Sequence, residues 1–397
     1  MTIDTADRLD AFLAAEGDDL IAFRRHLHAH PELSWEEHHT SATIRERLER
    51  AGLAPEVLTT DTGLSVDLGV GGDGPTVLLR ADIDALPLDD EKDVPYRSTV
   101  DGVCHACGHD VHTTAVLGAA LALAPLMQGR GGRVRVLFQP AEEAIPGGAS
   151  VLYDTAVMDD VDVVYALHCD PGLAVGQVGL KSGPITSAAD RVIIRLKGPG
   201  GHTARPHLSV DLLAIVGRII TELPAGLARL TDSRHGASLV FGAVEAGHAA
   251  NVIPTHAELR GTLRVRGRET WDAAAPIIER LVAAAAEPYG AAWEVDHVRG
   301  SPPVDNDFDA VAVLEGAVTT ALGSEAVAAT AQSVGNEDFS WLLERAPGAY
   351  ARLGVQPIGS TRQLDLHAGA FDVDEACIEV GVRVLTHAAL AALETPH

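Results

Sequence analysis

Residues 101–112 read DGVCHACGHDVH, and the chain is organised around them. Here Cys107, His109 and His112, with Cys104 and His105 beside them, crowd thiol and imidazole groups into one short segment. Borderline-soft divalent metals prefer that mixture. We read the segment as half of a metal site that stays open to substrate. A structural zinc ribbon would need a second paired CxxC or HxxxH, and the remaining cysteines, Cys169 and Cys377, stand alone. A thioredoxin-like thiol pair would have no use for the flanking histidines.

The other half must come from elsewhere in the chain. Residues 76–80, TVLLR, form a short apolar run of the kind that fills a strand buried on both faces, and Asp82 and Asp84 follow it. An Ala-rich helix is predicted over 110–126. A second buried strand over 134–138 is stopped by Pro140 and followed by Glu142 and Glu143, and a third over 161–167 ends immediately before His168. In open α/β sheets ligands bind outside the carboxyl ends of the strands, so three runs that each deliver Asp, Glu or His there point to one site. Helices are predicted over 7–27 and 36–50. His26, His28 and His30 invite a metal reading, but alternate residues on a helix do not share a face, and capping and packing at a helix end account for them better.

From Arg191 the texture changes. Strand-like VIIRLK, the glycine-rich loop GPGGHTARPH, a helix over 209–230 containing Pro224, two strands (SLVFGAVEAG, HAELRGTLRVRG), a helix over 269–287 and the strand AAWEVDHV follow in turn. The order βαββαβ predicts a ferredoxin-like α+β layer inserted into the larger domain. GPGG lacks the spacing of a nucleotide-binding glycine loop. After Pro302 and Pro303 the α/β texture returns, with SVGNEDFSWLL as a polar loop and helix, AYARLG as a strand, and His367 in a loop before the last helix. The expected architecture is α/β, a mixed, mostly parallel sheet with helices on both faces over 1–187 and 300–397, with the insert over 188–299.

The 397 residues are 46% hydrophobic with a formal net charge of -26, which fits a globular protein and argues against nucleic acid or an anionic membrane as partner. The acidic N-terminus shows no basic region followed by an apolar run, and four cysteines make no disulfide framework, so a cytoplasmic location is expected.

The motifs RRHLHAHPELSWEE, LRADIDALP, HACGHDVH, QPAEE, GHTARPH, NVIP, EDF and LHAGAF, in that order, resemble those of a dinuclear metal-dependent amidohydrolase, aminoacylase and carboxypeptidase family, most closely its hippurate hydrolase and auxin-conjugate hydrolase branch. Cys104 stands where that family commonly has methionine, and Asn336 where it usually has serine. The resemblance implies a zinc-peptidase-like catalytic domain, with the insert serving as lid and dimerisation domain. It implies two divalent ions (Zn2+, Mn2+ or Co2+) held by Cys107, His109, Glu143, His168 and His367, the Cys107 thiolate bridging them. Asp84 would orient a ligand, and Glu142 would be the general acid/base. His202 would stabilise the oxyanion, while Asn251 and Arg264 contact a small N-acyl amino acid or similar amide. A homodimer, or a tetramer built from it, is implied as well.

Overall fold

The computed structural model describes residues 5–69, 74–360 and 365–395. The first four residues of the acidic N-terminal stretch lie outside them. The chain divides into two compact units, one comprising Met1–Ile185, Asp305–Ala331 and Asp338–His397, the other Thr186–Val304 with Gln332–Glu337.

The larger unit is built on an eight-stranded mixed sheet. Across it run β1 (Glu56–Val57), β2 (Leu64–Leu68), β4 (Arg133–Gln139), β3 (Thr76–Asp82), β5 (Val163–Ala174), β16 (Gly348–Gln356), β6 (Val178–Leu180) and β15 (Val327–Ala329). The middle pairs β4/β3, β3/β5 and β5/β16 are parallel. Every residue of β3 is buried, so its near-continuous apolar run reflects cover on both faces. A small ribbon joins β7 (Gly183–Pro184) to β14 (Asp305–Asn306).

Helices α1 (Thr5–Ala29), α2 (His38–Arg50), α3 (His109–Leu126), α4 (Gly148–Leu152), α7 (Phe308–Leu322) and α8 (Ala376–Glu394) complete this unit. α3 is buried almost all round, packed against α1 and α8, and its Ala-rich sequence has no polar stripe for that reason. A Cβ on Gly118 would come within 2.5 Å of Val382 Cγ2, so the close approach of α3 and α8 requires glycine there. α8 is long and apolar enough to cross a membrane, but 67% of its most apolar window is buried within the protein, as suits a core helix.

The expected strands and helices over 1–187 are present, with one difference of consequence. The third strand does not stop before His168 but runs on to Ala174. Its pairing with β3 ends at Arg80↔Ala166, whereas β16 pairs onward through Arg352↔His168 and Leu353↔Cys169. His168 therefore lies past the last paired residue on the β3 side while still held by a ladder on its other side.

The smaller unit is a four-stranded antiparallel sheet in the order β10 (Ala237–Ala246), β12 (His256–Val265), β8 (Ala188–Lys197), β13 (Ala292–Ser301), with α5 (Leu212–Leu230) and α6 (Arg268–Ala286). This is the ferredoxin-like βαββαβ layer. Burial alternates along β12, as expected when one face is covered and the other is not. Buried Asp190 of β8 accepts from Trp271 Nε1 of α6 at 2.9 Å and faces His297 Nε2 of β13 at 2.6 Å. A two-stranded ribbon of β9 (Gly201–His202) and β11 (Val252–Ile253) was not anticipated from the sequence.

Candidate metal centre and active site

The site begins at the turn between the HACG segment and α3. Gly108 has φ 85°, and a Cβ there would meet Cys169 Sγ at 2.6 Å. Glycine thus lets the turn lie directly on β5, which brings Cys107 Sγ within 3.5 Å of His168 Nε2. The His168 Nδ1–H donates to the Cys169 carbonyl at 2.8 Å, leaving the Nε2 lone pair free to bind a cation.

Asp84, just past β3, organises the acidic side. Its Oδ1 accepts from His109 Nδ1 at 3.2 Å and from the Glu142 backbone N–H at 3.0 Å. Its Oδ2 accepts from Ser34 Oγ at 2.7 Å and from the Glu143 backbone N–H at 3.0 Å. One buried carboxylate thereby uses its whole acceptor capacity to fix a histidine and two consecutive glutamates. Burial alone would raise its pKa. The His109 hydrogen bond and charge, with Ser34 and the Glu143 backbone, outweigh that and hold it below the usual carboxylate range.

His109 Nε2 is buried with no hydrogen-bond partner, and Glu143 Oε1, also buried, is met by a histidine ring. They lie 4.0 Å apart, and Glu143 Oε1 is 3.1 Å from His367 Nε2. Cys107, His109 and His168 offer ligand atoms within 4.8 Å of one another, and so do Cys107, Glu143 and His367. Cys107 stands in both groups. Burial, then Glu143 and Glu142, push its thiol well above the ordinary value, so a thiolate here needs an adjacent cation. Thiol, imidazole and carboxylate donors aimed at common points, with His109 Nε2 otherwise unpartnered, fit borderline divalent ions.

His112 is crowded into the same segment but has no lone pair to give. Its Nδ1 meets Asp82 at 2.6 Å, and its Nε2 accepts from the Cys169 backbone N–H at 2.8 Å. Cys104 also turns away from the cluster. It is buried with Lys92 Nζ at 3.6 Å, and burial raises its thiol to about 11. Replacing Cys107 by Ser is therefore expected to lower bound metal sharply, because a serine hydroxyl is a far poorer anionic ligand at neutral pH, whereas Cys104→Ser leaves it unchanged. Metal content of the two purified variants checks this, and equal losses would revive a CxxC chelate.

Glu142 is half-buried, and its Oε1 accepts from the Asp338 backbone N–H at 3.3 Å. The Asp338 carboxylate in turn takes Arg80 Nη2 at 3.0 Å, Gln139 Nε2 at 2.8 Å and the Ala149 N–H of α4 at 2.9 Å. Ser34, Arg80, Gln139 and Asp338 were not singled out from the sequence. They fall in the PELSWEE, LRADIDALP, QPAEE and EDF motifs respectively, and that is their only signal in the sequence.

In the smaller unit, His202 on the β9/β11 ribbon and Asn251, which immediately precedes β11, are both exposed, and the Thr203 N–H donates to the Asn251 carbonyl at 3.3 Å. Arg264 lies on the open face of β12 with its guanidinium 3.3 Å from Thr262 Oγ1. Asn336 is exposed.

The sequence profile of peptidase family M20/M25/M40 matches residues 78–391. A Rhodococcus jostii (strain RHA1) protein named for glutamate--cysteine ligase is 45% identical over 94% of this chain, but the chain spans only 46% of that protein's length. An N-acetylcysteine deacetylase of Bacillus subtilis (strain 168) is 37% identical over 95% of this chain and 97% of its own. Among solved structures, the Bacillus subtilis YXEP protein, a dinuclear metal binding peptidase from the M20 family, superposes with a TM-score of 0.85 at 34% identity, covering 96% of this chain and 99% of its own. A chain with this profile match, this fold and this donor cluster belongs to peptidase family M20/M25/M40 and is a metal-dependent amidohydrolase.

Proposed function

We propose that the chain hydrolyses the amide bond of N-acyl amino acids, in the manner of the hippurate and auxin-conjugate hydrolases, using two divalent ions drawn from Zn2+, Mn2+ and Co2+. The observation that carries the two-ion reading is the presence of Cys107 in two overlapping ligand groups, one completed by His109 and His168, the other by Glu143 and His367. Bound there, the ions supply Lewis acidity toward water and the scissile carbonyl. Glu142 accepts the proton of the attacking water and returns it to the departing amine, which is otherwise a poor leaving group. Asp84 holds His109 and the Glu142–Glu143 backbone in place throughout. His202 donates to the tetrahedral oxyanion, and Asn251 and Arg264 engage the substrate, Arg264 pairing with its carboxylate and supplying positive charge that the acidic chain otherwise lacks.

Hydrolysis assays across N-acetyl, N-benzoyl and indole-acetyl amino acids, each with added Zn2+, Mn2+ or Co2+, test this reading. The expected result is turnover of acylated substrates and little of free-amine dipeptides. Preference for the free amine would make the protein a dipeptidase, and no turnover of any amide would leave a metal-binding scaffold.

We assign residues 188–299 the roles of lid and dimerisation domain, and place the protein in the cytoplasm, where its four free, buried cysteines stay reduced. Support for pairing comes from β10, an edge strand carrying exposed Val240 and Val244. His202 lies in the smaller unit and the metal-ligand candidates in the larger, and we assign it to the partner's site. With Glu142→Ala and His202→Ala subunits mixed equally and exchanged, about half the dimers are mixed, and each has one intact site. Activity should recover to about a quarter of wild type. No recovery, with exchange confirmed by mass, would place His202 in its own subunit's site.

A further inference from the structure

Three histidines that the site does not use converge on the surface where α1 ends and α2 begins. His26 is in the last turn of α1, His30 is four residues on, and His39 is in the first turn of α2. All three are exposed. His28, between the first two, points inward instead, with Nδ1 2.7 Å from Asp110 and Nε2 3.3 Å from Asp90. Residues four apart share a helix face, so His26 and His30 meet where alternate residues would not.

The geometry of the three rings suits one ion. His26 Nε2 and His39 Nε2 lie 3.4 Å apart. That is long for a hydrogen bond between ring nitrogens. It is close to the edge of a tetrahedral metal site, about 3.3 Å when each metal–nitrogen bond is about 2.05 Å. Ring centroids stand 4.5 Å (His26, His30), 5.5 Å (His26, His39) and 5.8 Å (His30, His39) apart. Imidazoles around one such ion would have centroids about 5.2 Å apart.

A second observation concerns tautomers. His30 Nδ1–H donates to the His26 carbonyl at 2.8 Å, the outer hydrogen bond that ligating histidines generally carry, and this leaves its Nε2 lone pair available. Partial burial of the ring, then the neighbouring His30 and His39, lower the His26 pKa from its ordinary value, which favours the neutral, ligating form. The negative end of the α1 dipole and a net charge of -26 both favour a cation here.

We propose that His26, His30 and His39 form a further metal site, sharing no residue with the Cys107 cluster, that takes one borderline divalent ion such as Zn2+, Ni2+ or Cu2+. Hard ions that demand oxygen ligands, Mg2+ and Ca2+, do not bind it.

The test counts metal. Untagged full-length protein is stripped with chelator, dialysed to equilibrium against Zn2+ and analysed for zinc per chain, beside the double variant His26→Ala/His39→Ala. Wild type should hold one zinc per chain more than the double variant, while both hydrolyse amide equally at saturating metal. Dialysis against Mg2+ should give no difference between them. His30→Ala should weaken the extra zinc by about tenfold or more. Equal zinc in wild type and double variant would overturn the site and leave only a contact between two imidazoles, and unchanged affinity in His30→Ala would overturn the three-histidine assignment. Because the comparison is a difference of one ion between folded proteins of equal activity, it stands whether or not the Cys107 cluster holds two ions.

Discussion

Glu142→Gln should fold, load metal like wild type and lose about 10²- to 10⁴-fold in turnover, the usual contribution of a positioned general base. The amide is nearly isosteric with the carboxylate. The Glu142 backbone N–H would still donate to Asp84, and an amide oxygen would still accept from the Asp338 N–H. What is lost is the capacity to take a proton, so the effect should fall on kcat with KM little changed. The measurement is steady-state kinetics on samples whose metal content is shown to be equal. Near-wild-type turnover in the loaded variant would remove Glu142 from the mechanism.

The second large effect is on stability. Asp110, in the first turn of α3, is fully buried and lies 2.7 Å from Arg24 Nε and 2.7 Å from His28 Nδ1. Arg24 is itself only 1% exposed, and its other carboxylates, Glu375 and Asp372, are farther away at 3.3 and 3.5 Å. Asp110→Asn leaves a buried guanidinium without its nearest counter-charge, which should cost about 3–5 kcal/mol. Pairing it with Arg24→Met should recover part of that loss, since removing both charges also removes their desolvation penalty. Urea unfolding at fixed metal concentration gives the values, and a loss under about 1 kcal/mol at an unchanged m would show that Asp372 and Glu375 suffice for Arg24.

The same pair gives a pH dependence. Burial alone would raise the Asp110 carboxyl, and Arg24 followed by His28 outweighs it, holding the group well below the usual carboxylate range. A depressed folded-state pKa contributes stability that is fully present above the unfolded value of about 3.9 and is lost as pH falls toward the folded value. The stability gap between wild type and Asp110→Asn should therefore be constant near neutrality and close in acid.

The strand ends were legible because a buried parallel strand has a distinctive texture, an apolar run without alternation, and the residue after it faces the site. That placed Asp84, Glu142 and Glu143 without knowledge of any contact. His168 was found by the same rule although β5 does not end there, because the missing information, the continued pairing with Arg352 and Leu353 of β16, lies far away in sequence. His112 looked like a ligand and is spent on Asp82 and the Cys169 backbone, since residue type records neither tautomer nor direction. Arg80, Gln139 and Asp338 lie within recognised motifs, yet the sequence shows no role for them, because each acts only when segments up to 258 positions apart meet. The grouping of His39 with His26 and His30 depends likewise on how α2 is set against the end of α1.

The most direct test of the central claim follows hydrolysis of an N-acetyl amino acid while metal is removed and restored. Protein stripped by chelator should lose turnover, recover it on addition of Zn2+, Mn2+ or Co2+, and fail to recover it in the Cys107→Ser variant at the same total metal. Undiminished turnover in stripped protein, with residual metal well below about 0.1 equivalent by the counting argument of linked binding, would contradict a metal-dependent amidohydrolase built on this cluster.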